Sequence, residues 1–496
     1  MNDPLKIAGF VVFTVYALTS VWLLLNSMVQ LHLLWHFKRR EKKRLPVQSL
    51  QPDLPFVSVQ VPVYNEKYVI RRLLTALGKL NYPRDRFEIQ VLDDSTDETS
   101  QIIDNEADWL RERGIHCTVV RRQERKGFKA GALQYGLSYC KGGLVAIFDA
   151  DFIPDPSFLL RMVPHFSDAS VGLVQAKWTH INRDQNSLTR IQTFLLDTHF
   201  SVEQGGRHQA GYFINFCGTA GIWRKECIEQ AGGWDGEVLS EDLDLSYRAQ
   251  LKGWKMVYDK SVEVPAELPC VIQAFRIQQF RWTKGMAQIS KKMMKPLLKA
   301  AVPVGKKLHG VFHLLGSFVF VCLLLNALLT LPLLVFRNLY PEFITLTHYT
   351  LVTSLNLVAL TLFYYTGTKS SNSPGTVRFG TYYPLFLVIY MGLSVQNAIA
   401  VLQGFAGKHS PFVRTPKFAA VKAGENAYLR PKFNGINLLE IFLFSYFFTG
   451  IVLSFYFGDY FMLLFFLMMV YGLGFIIAHT LMLFQQQSMA LRTARG

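Results

Sequence analysis

At 496 residues, with half the chain apolar and 52 Lys plus Arg against 36 Asp plus Glu, the chain is too hydrophobic for one soluble domain and too charged to be only a bundle of membrane helices. Six cysteines without paired C-x-x-C spacing point to neither a zinc site nor a disulfide framework, and fit a reducing compartment. The formal charge of +16 concentrates beside apolar segments, where cytoplasmic flanks and anionic head groups explain it better than nucleic acid does.

The first 37 residues predict a membrane helix. Ile7 to Leu34 is long enough to cross ~30 Å of hydrocarbon at ~1.5 Å per residue, and too long for a signal peptide. Lys38-Arg39-Arg40 and Lys42-Lys43-Arg44 follow, so the amino terminus is expected outside. Residues 38–55, with Pro46, Pro52 and Pro55, read as a basic, extended linker.

From 56 to 265 short β-branched runs alternate with helical patterns, the signature of a mostly parallel α/β sheet. Strands are predicted at Phe56 to Val61, Ile89 to Leu92, Cys117 to Val120, Leu144 to Phe148 and Gly172 to Ala176. Three of them end in polar clusters: Tyr64-Asn65-Glu66, Asp93-Asp94 and Asp149-Ala150-Asp151. Ligands of open α/β sheets bind beyond the carboxyl ends of strands, so these clusters should converge.

Residues 266–305 are amphipathic and basic, as for helices on a membrane surface. Four spans are expected in 306–496, near Leu308 to Phe336, Phe343 to Tyr365, Leu438 to Phe457 and Tyr460 to Phe484. Residues 382–405 are read as interfacial or re-entrant, because a fifth crossing here would put the basic segment 407–436 outside. The carboxyl terminus is then cytosolic.

Each cluster has a chemical reading beside a plainer one. Asp149 and Asp151 could hold Mg²⁺ or Mn²⁺ against a diphosphate, or form a solvated turn. Asp93 and Asp94 suit base and ribose recognition, while an N-cap accounts for one of them. Asp242, in Ser240-Glu241-Asp242, is either a general base toward an acceptor hydroxyl or an acid complementing a helix dipole. In Gln278-Gln279-Phe280-Arg281-Trp282, Arg281 can fork onto a departing diphosphate and Trp282 can carry a sugar ring, although both could simply anchor a surface helix. Lys129 is a candidate for neutralising phosphate near a helix start, or part of a solvated basic turn.

In this order the clusters resemble the processive inverting enzymes of glycosyltransferase family 2, especially the cellulose-synthase-like A and C group that makes β-mannan or β-glucan backbones. The likeness runs from Val57 to Trp282 and includes Gln90 to Asp97, Gly127 to Leu133 and Gly218 to Arg224. It implies a GT-A domain between membrane helices, a nucleotide-sugar donor (UDP-glucose or GDP-mannose), a growing polysaccharide as acceptor, and a divalent metal. Tyr64, Glu66, Asp93, Asp94 and Lys129 would then meet the nucleotide, Asp149 and Asp151 the diphosphate and metal, and Asp242 would be the base. Phe216, Cys217, Gly218, Glu241, Gln278, Gln279, Arg281 and Trp282 would surround the acceptor and leaving group. Phe412, Thr415 and Lys417 look like a gating loop, with Arg414 where valine is usual.

The sequence departs from bacterial cellulose synthases in stopping soon after its last expected span at Phe484, so regulation by cyclic-di-GMP is not expected, and accessory subunits stay open. Asn26, Gln30, Asn326 and Asn356 could line a polymer passage or bond helix to helix. The rival readings are a non-processive enzyme that places one sugar on a lipid, and a transporter with a nucleotide-sensing domain. Glucose and mannose cannot be told apart from the residues.

Overall fold

The computed structural model describes residues 3–40, 53–370, 379–408, 415–417 and 433–493. Seven strands, β1 Val57–Val63, β2 Phe87–Asp93, β3 His116–Val120, β4 Leu144–Ile147, β5 Val171–His180, β6 Gly221–Arg224 and β7 Lys255–Ala266, form one sheet in the order β3-β2-β1-β4-β6-β5-β7. All pairs are parallel except those of β6 with β4 and β5. β1, β2 and β4 are buried along their length because helices cover both faces of the sheet, and the polar side chains that alternate with Val and Ile in β1 and β2 bond one another, Ser58 Oγ to Glu88 at 2.7 Å and Gln60 Nε2 to Gln90 at 3.3 Å.

All five predicted strands are present, and β6 and β7 are additional. β6 has only four residues, and β7 is interrupted by exposed charges such as Lys260 and Glu263. Both are held by pairing to β5 rather than by their own pattern.

Among the described residues six helices are long and apolar enough to cross a membrane: Pro4–Arg39, Val304–Leu339, Pro341–Ser370, Phe379–Phe405, Gly435–Phe457 and Leu463–Gln485. Residues 382–405, expected to be interfacial or re-entrant, lie within one unbroken helix, Phe379–Phe405. Its start touches the α/β domain and its end touches the helix Ile272–Lys299. Near its start, Phe379, Tyr383 and Phe386 ring Phe194, and Tyr382 Oη accepts from Arg190 Nη1 at 2.9 Å. At its end, Phe405 O accepts from Lys291 Nζ at 2.9 Å.

Lys291 belongs to the helix Ile272–Lys299, the site helix, which carries Gln278 to Trp282. This helix approaches the sheet domain closely at Gly285, where a Cβ would collide with the Ser240 side chain. Of the residues considered for a passage, Asn26 and Gln30 line a large cavity, whereas Asn326 accepts from Ser20 Oγ at 2.9 Å and joins two helices.

Candidate active site

The parallel run of β1, β2 and β4 brings their carboxyl ends to one edge, and the loops there are tied together. Asn65, in the left-handed region at φ 55°, donates its N–H to Ser95 Oγ at 3.0 Å and accepts from Thr96 N at 2.8 Å. Beyond this edge lies a cavity of about 180 Å³ whose wall includes Tyr64, Glu66, Asp94, Lys129, Asp149, Asp151, Cys217, Gly218, Glu241, Asp242, Gln278, Arg281, Trp282, Thr415 and Lys417. Residues spread over more than 350 positions of sequence therefore share one space.

Three expected residues do not line it. Asp93 is occupied within the fold: Ser95 N, Ser100 Oγ and Arg121 Nε donate to its carboxylate at 3.0, 2.8 and 2.9 Å. Phe216 is fully buried, edge-on to Trp223, and serves the core. Gln279 lines the adjoining larger cavity instead. Phe412 lies outside the described residues.

Just beyond the carboxyl end of β2, the Asp94 carboxylate accepts from Arg122 Nε and Nη2 at 3.0 and 2.5 Å. Arg125, whose role the sequence did not disclose, stacks over the Tyr64 ring at 3.4 Å. A cation on an aromatic face at the mouth of the cavity makes a flat, positively charged shelf.

In the middle, Lys129 Nζ donates to Asp149 Oδ1 at 2.5 Å and to Gly218 O at 2.8 Å. Burial works against the Lys129 charge, but Asp149, Glu241 and Asp242 outweigh it and raise its pKa above the ordinary value. Asp151 Oδ2 accepts from Lys417 Nζ at 2.7 Å and from Glu267 N at 3.2 Å.

Both acids of Asp149-x-Asp151 thus face a positive charge on the cavity wall. Among the described residues no group of three or more His, Cys, Asp or Glu could hold a metal by itself. The pair fits Mg²⁺ or Mn²⁺ as such ions are commonly bound, through one or two carboxylates completed by substrate phosphates.

Glu241 and Asp242 open the helix Glu241–Leu251. Asp242 Oδ1 accepts from Leu243 N at 2.8 Å, and burial together with the Glu241 charge raises its pKa to about 7. A base poised there is matched to proton transfer near neutral pH. Gly218 sits against it: φ is +83°, and a Cβ would stand 3.1 Å from Asp242 Oδ2, so both backbone shape and space favour glycine. Burial pushes the neighbouring Cys217 thiol up, which removes it as a nucleophile. Burial lowers the Arg281 guanidinium from its usual value, while Glu241, Asp149, Asp242 and Glu66 oppose the shift; Arg281 stays charged.

Asp242, Cys217 and Trp282 also line the larger cavity, about 400 Å³, which continues between the apolar helices to Asn26, Gln30, Phe320 and Tyr390. Its wall holds a charged group the sequence reading missed. Glu203 accepts from His199 Nδ1 at 2.9 Å and from Arg207 Nη2 at 3.0 Å, on the π-helical turn His199–Glu203 and the turn after it. The i, i+4 spacing of these three was the available signal.

Residues 52–285 match the family model "Glycosyltransferase like family 2". The chain is 39% identical over 322 residues to "Glucomannan 4-beta-mannosyltransferase 1" of Oryza sativa subsp. japonica, a match covering 60% of this chain and 61% of that protein. It is 44% identical over 283 residues to "Probable glucomannan 4-beta-mannosyltransferase 4" of the same organism, covering 56% and 51%. The matched part thus spans less than two thirds of these relatives' own length. The fold is shared with a solved structure, "Mannosyltransferase PcManGT from Pyrobaculum calidifontis in complex with GDP-Man and Mn2+", at a TM-score of 0.54 and 21% identity over 79% of this chain and 100% of that one. The segment 52–285, a GT-A fold flanked by apolar helices, is thus similar to the members of glycosyltransferase family 2.

Proposed function

We propose that this chain is a membrane-embedded, inverting glycosyltransferase that extends a β-linked mannan from GDP-mannose and feeds it into the membrane domain. One observation carries the reading: Asp242 and Trp282 stand where the polar cavity, with its acids and Arg281, meets the larger cavity between the apolar helices. Donor chemistry and polymer exit then share a single junction. Mannose is preferred to glucose because the similar plant proteins are named mannosyltransferases and the solved structure of the same fold holds GDP-Man.

The reaction is one displacement. Asp242 takes the proton of an acceptor hydroxyl as its oxygen bonds to C1 of the α-linked donor. The C1–O bond to the diphosphate breaks, and GDP leaves with that electron pair. A base of pKa about 7 accepts the proton without being permanently protonated. Arg281 and Lys129 place positive charge beside the departing diphosphate in a water-poor site, where it is worth more than in bulk water. Trp282 offers the apolar face on which the acceptor ring lies, fixing the attack angle. A divalent ion held by Asp149 and Asp151 would add charge neutralisation at the diphosphate.

We further infer that the helix Phe379–Phe405 lies along the cytosolic boundary rather than crossing, since its start contacts Arg190 of the α/β domain and its end contacts Lys291 of the amphipathic surface helix. Five spans then remain, with the amino terminus outside and the carboxyl terminus cytosolic.

The test supplies labelled GDP-mannose and UDP-glucose in parallel to membranes containing the chain and digests the product with endo-β-1,4-mannanase. The reading requires a polymer from GDP-mannose that the mannanase cleaves. A single labelled sugar on lipid, or polymer from UDP-glucose alone, would overturn it.

A further inference from the structure

Four helices meet at one buried guanidinium. Arg276 lies on the site helix Ile272–Lys299, five residues before Arg281 and six before Trp282. Its Nη2 donates to Glu440 Oε1 at 2.6 Å on the helix Gly435–Phe457, and its Nε donates to Gln396 Oε1 at 2.9 Å on Phe379–Phe405. Nη1 reaches Thr480 Oγ1 at 3.5 Å on Leu463–Thr493. Gln396 Nε2 closes the ring by donating to Arg276 O at 2.8 Å, and Asn437 Nδ2 donates to the second Glu440 oxygen at 3.3 Å. Arg276 is 5% exposed and Glu440 1%.

Stability alone is a poor account of this arrangement. Removing two opposite charges from water costs about as much as their attraction returns, so well-packed apolar residues of the same volume would hold the helices together at least as well. Charged groups among membrane helices are costly, and where they occur they usually serve function. What the planar fork of Arg276 supplies, and an apolar contact does not, is direction: separate donors engage separate helices at fixed angles. That fixes both the rotation and the height of the site helix. Little more than a turn further on stand Arg281 and Trp282, and Gln279, two residues before Arg281, accepts from Tyr390 Oη at 3.4 Å. Glu440 lies in the second turn of the helix Gly435–Phe457, so one ion pair ties that helix to the site helix.

We propose that Arg276 and Glu440 are positioning residues for the transfer step: the pair holds the site helix so that Trp282 and Arg281 align the acceptor with the donor. Neither residue lines the polar cavity. This inference rests on the transfer reading given above. Its signature is a shift in fate of the donor. A misaligned acceptor loses the competition with water while donor affinity stays.

The experiment uses the full chain in lipid nanodiscs, with GDP-mannose, Mn²⁺ and mannohexaose. It measures donor Kd, transfer to the oligosaccharide, and hydrolysis of the donor to free mannose. Arg276→Gln is expected to lower kcat for transfer by about 10- to 100-fold, as a displacement near 1 Å does, and to raise the hydrolysed fraction. The Kd for GDP-mannose should stay within about twofold, because the nucleotide wall is built by other elements. Glu440→Gln, which keeps an acceptor for the fork, should shift the partition in the same direction but less. Should Arg276→Gln not insert, Arg276→Lys and Glu440→Gln report the same ratio. A wild-type ratio of transfer to hydrolysis in these variants, even with a lowered Tm, would overturn the proposal. A wild-type protein that transfers nothing to the oligosaccharide would instead overturn the proposed function.

Discussion

Lys417 Nζ and Asp151 Oδ2, 266 residues apart in the chain, form an ion pair of 2.7 Å on the wall of the polar cavity. Lys129 holds Asp149 in the same way. Each acid expected to meet a divalent ion is therefore already matched with an ammonium group.

From this pairing a competition follows. Lys417→Met removes the rival charge from Asp151 and is expected to lower the Mn²⁺ concentration for half-saturation by about tenfold. That is ~1.4 kcal/mol, well below the ~4 kcal/mol that unit charges 4 Å apart exchange at an effective dielectric of 20. Titration of bound Mn²⁺ by electron paramagnetic resonance, with GDP present, reads the shift. Unchanged affinity would mean that the ion does not use Asp151. EDTA should abolish transfer, and added Mn²⁺ should restore it.

The acid limb of the pH profile follows from Asp242. Burial and the nearby Glu241 charge raise its pKa to about 7, and only the deprotonated form can accept a proton. kcat/KM should therefore climb with pH through about 7 and level off above it, with the limb belonging to the two carboxyls together. Glu241→Gln removes a like charge and should move the limb to lower pH; a limb that stays or moves up would contradict this assignment.

Stability should run the opposite way with pH. The folded pKa lies above the ordinary 3.8, so folding retains a proton that the unfolded chain releases between about 4 and 7. The contribution is present below that window and lost as pH rises through it. Asp242→Asn should accordingly raise Tm at about pH 8 and change it little near pH 4. Thermal scans at the two values check the sign.

The placement of the helix Phe379–Phe405 is tested by chemistry at its ends. Single cysteines introduced at Gly380 and at Gly407, beyond its carboxyl end, should both react with a membrane-impermeant maleimide from the cytosolic side of sealed vesicles, because Arg190 and Lys291 contact those ends. Labelling of the two from opposite sides would make this helix a sixth crossing.

Much of the sheet was legible because β1 to β5 are rich in β-branched and apolar residues, alternating with polar ones in β1 and β2 and continuous in β4, and are bounded by polar turns. β7 was not, since its exposed Lys260 and Glu263 break any apolar run and only pairing with β5 makes it a strand. In the site, strand-end acids announced themselves by position, but position does not say where a carboxylate turns. Asp94 lines the cavity while adjacent Asp93 is taken up by Arg121 and Ser100. Lys417 facing Asp151, and Arg276 facing Glu440, are contacts between distant segments that no local pattern encodes.

The most direct test of the account is Asp242→Asn in the full chain. The amide keeps the size of the side chain and cannot act as the base. Removing a general base should cost about 10²- to 10⁴-fold in transfer, while calorimetry shows GDP-mannose binding within about twofold of the parent, since the base touches the acceptor rather than the nucleotide. Transfer at the parent rate by a correctly folded Asp242→Asn would contradict the central claim.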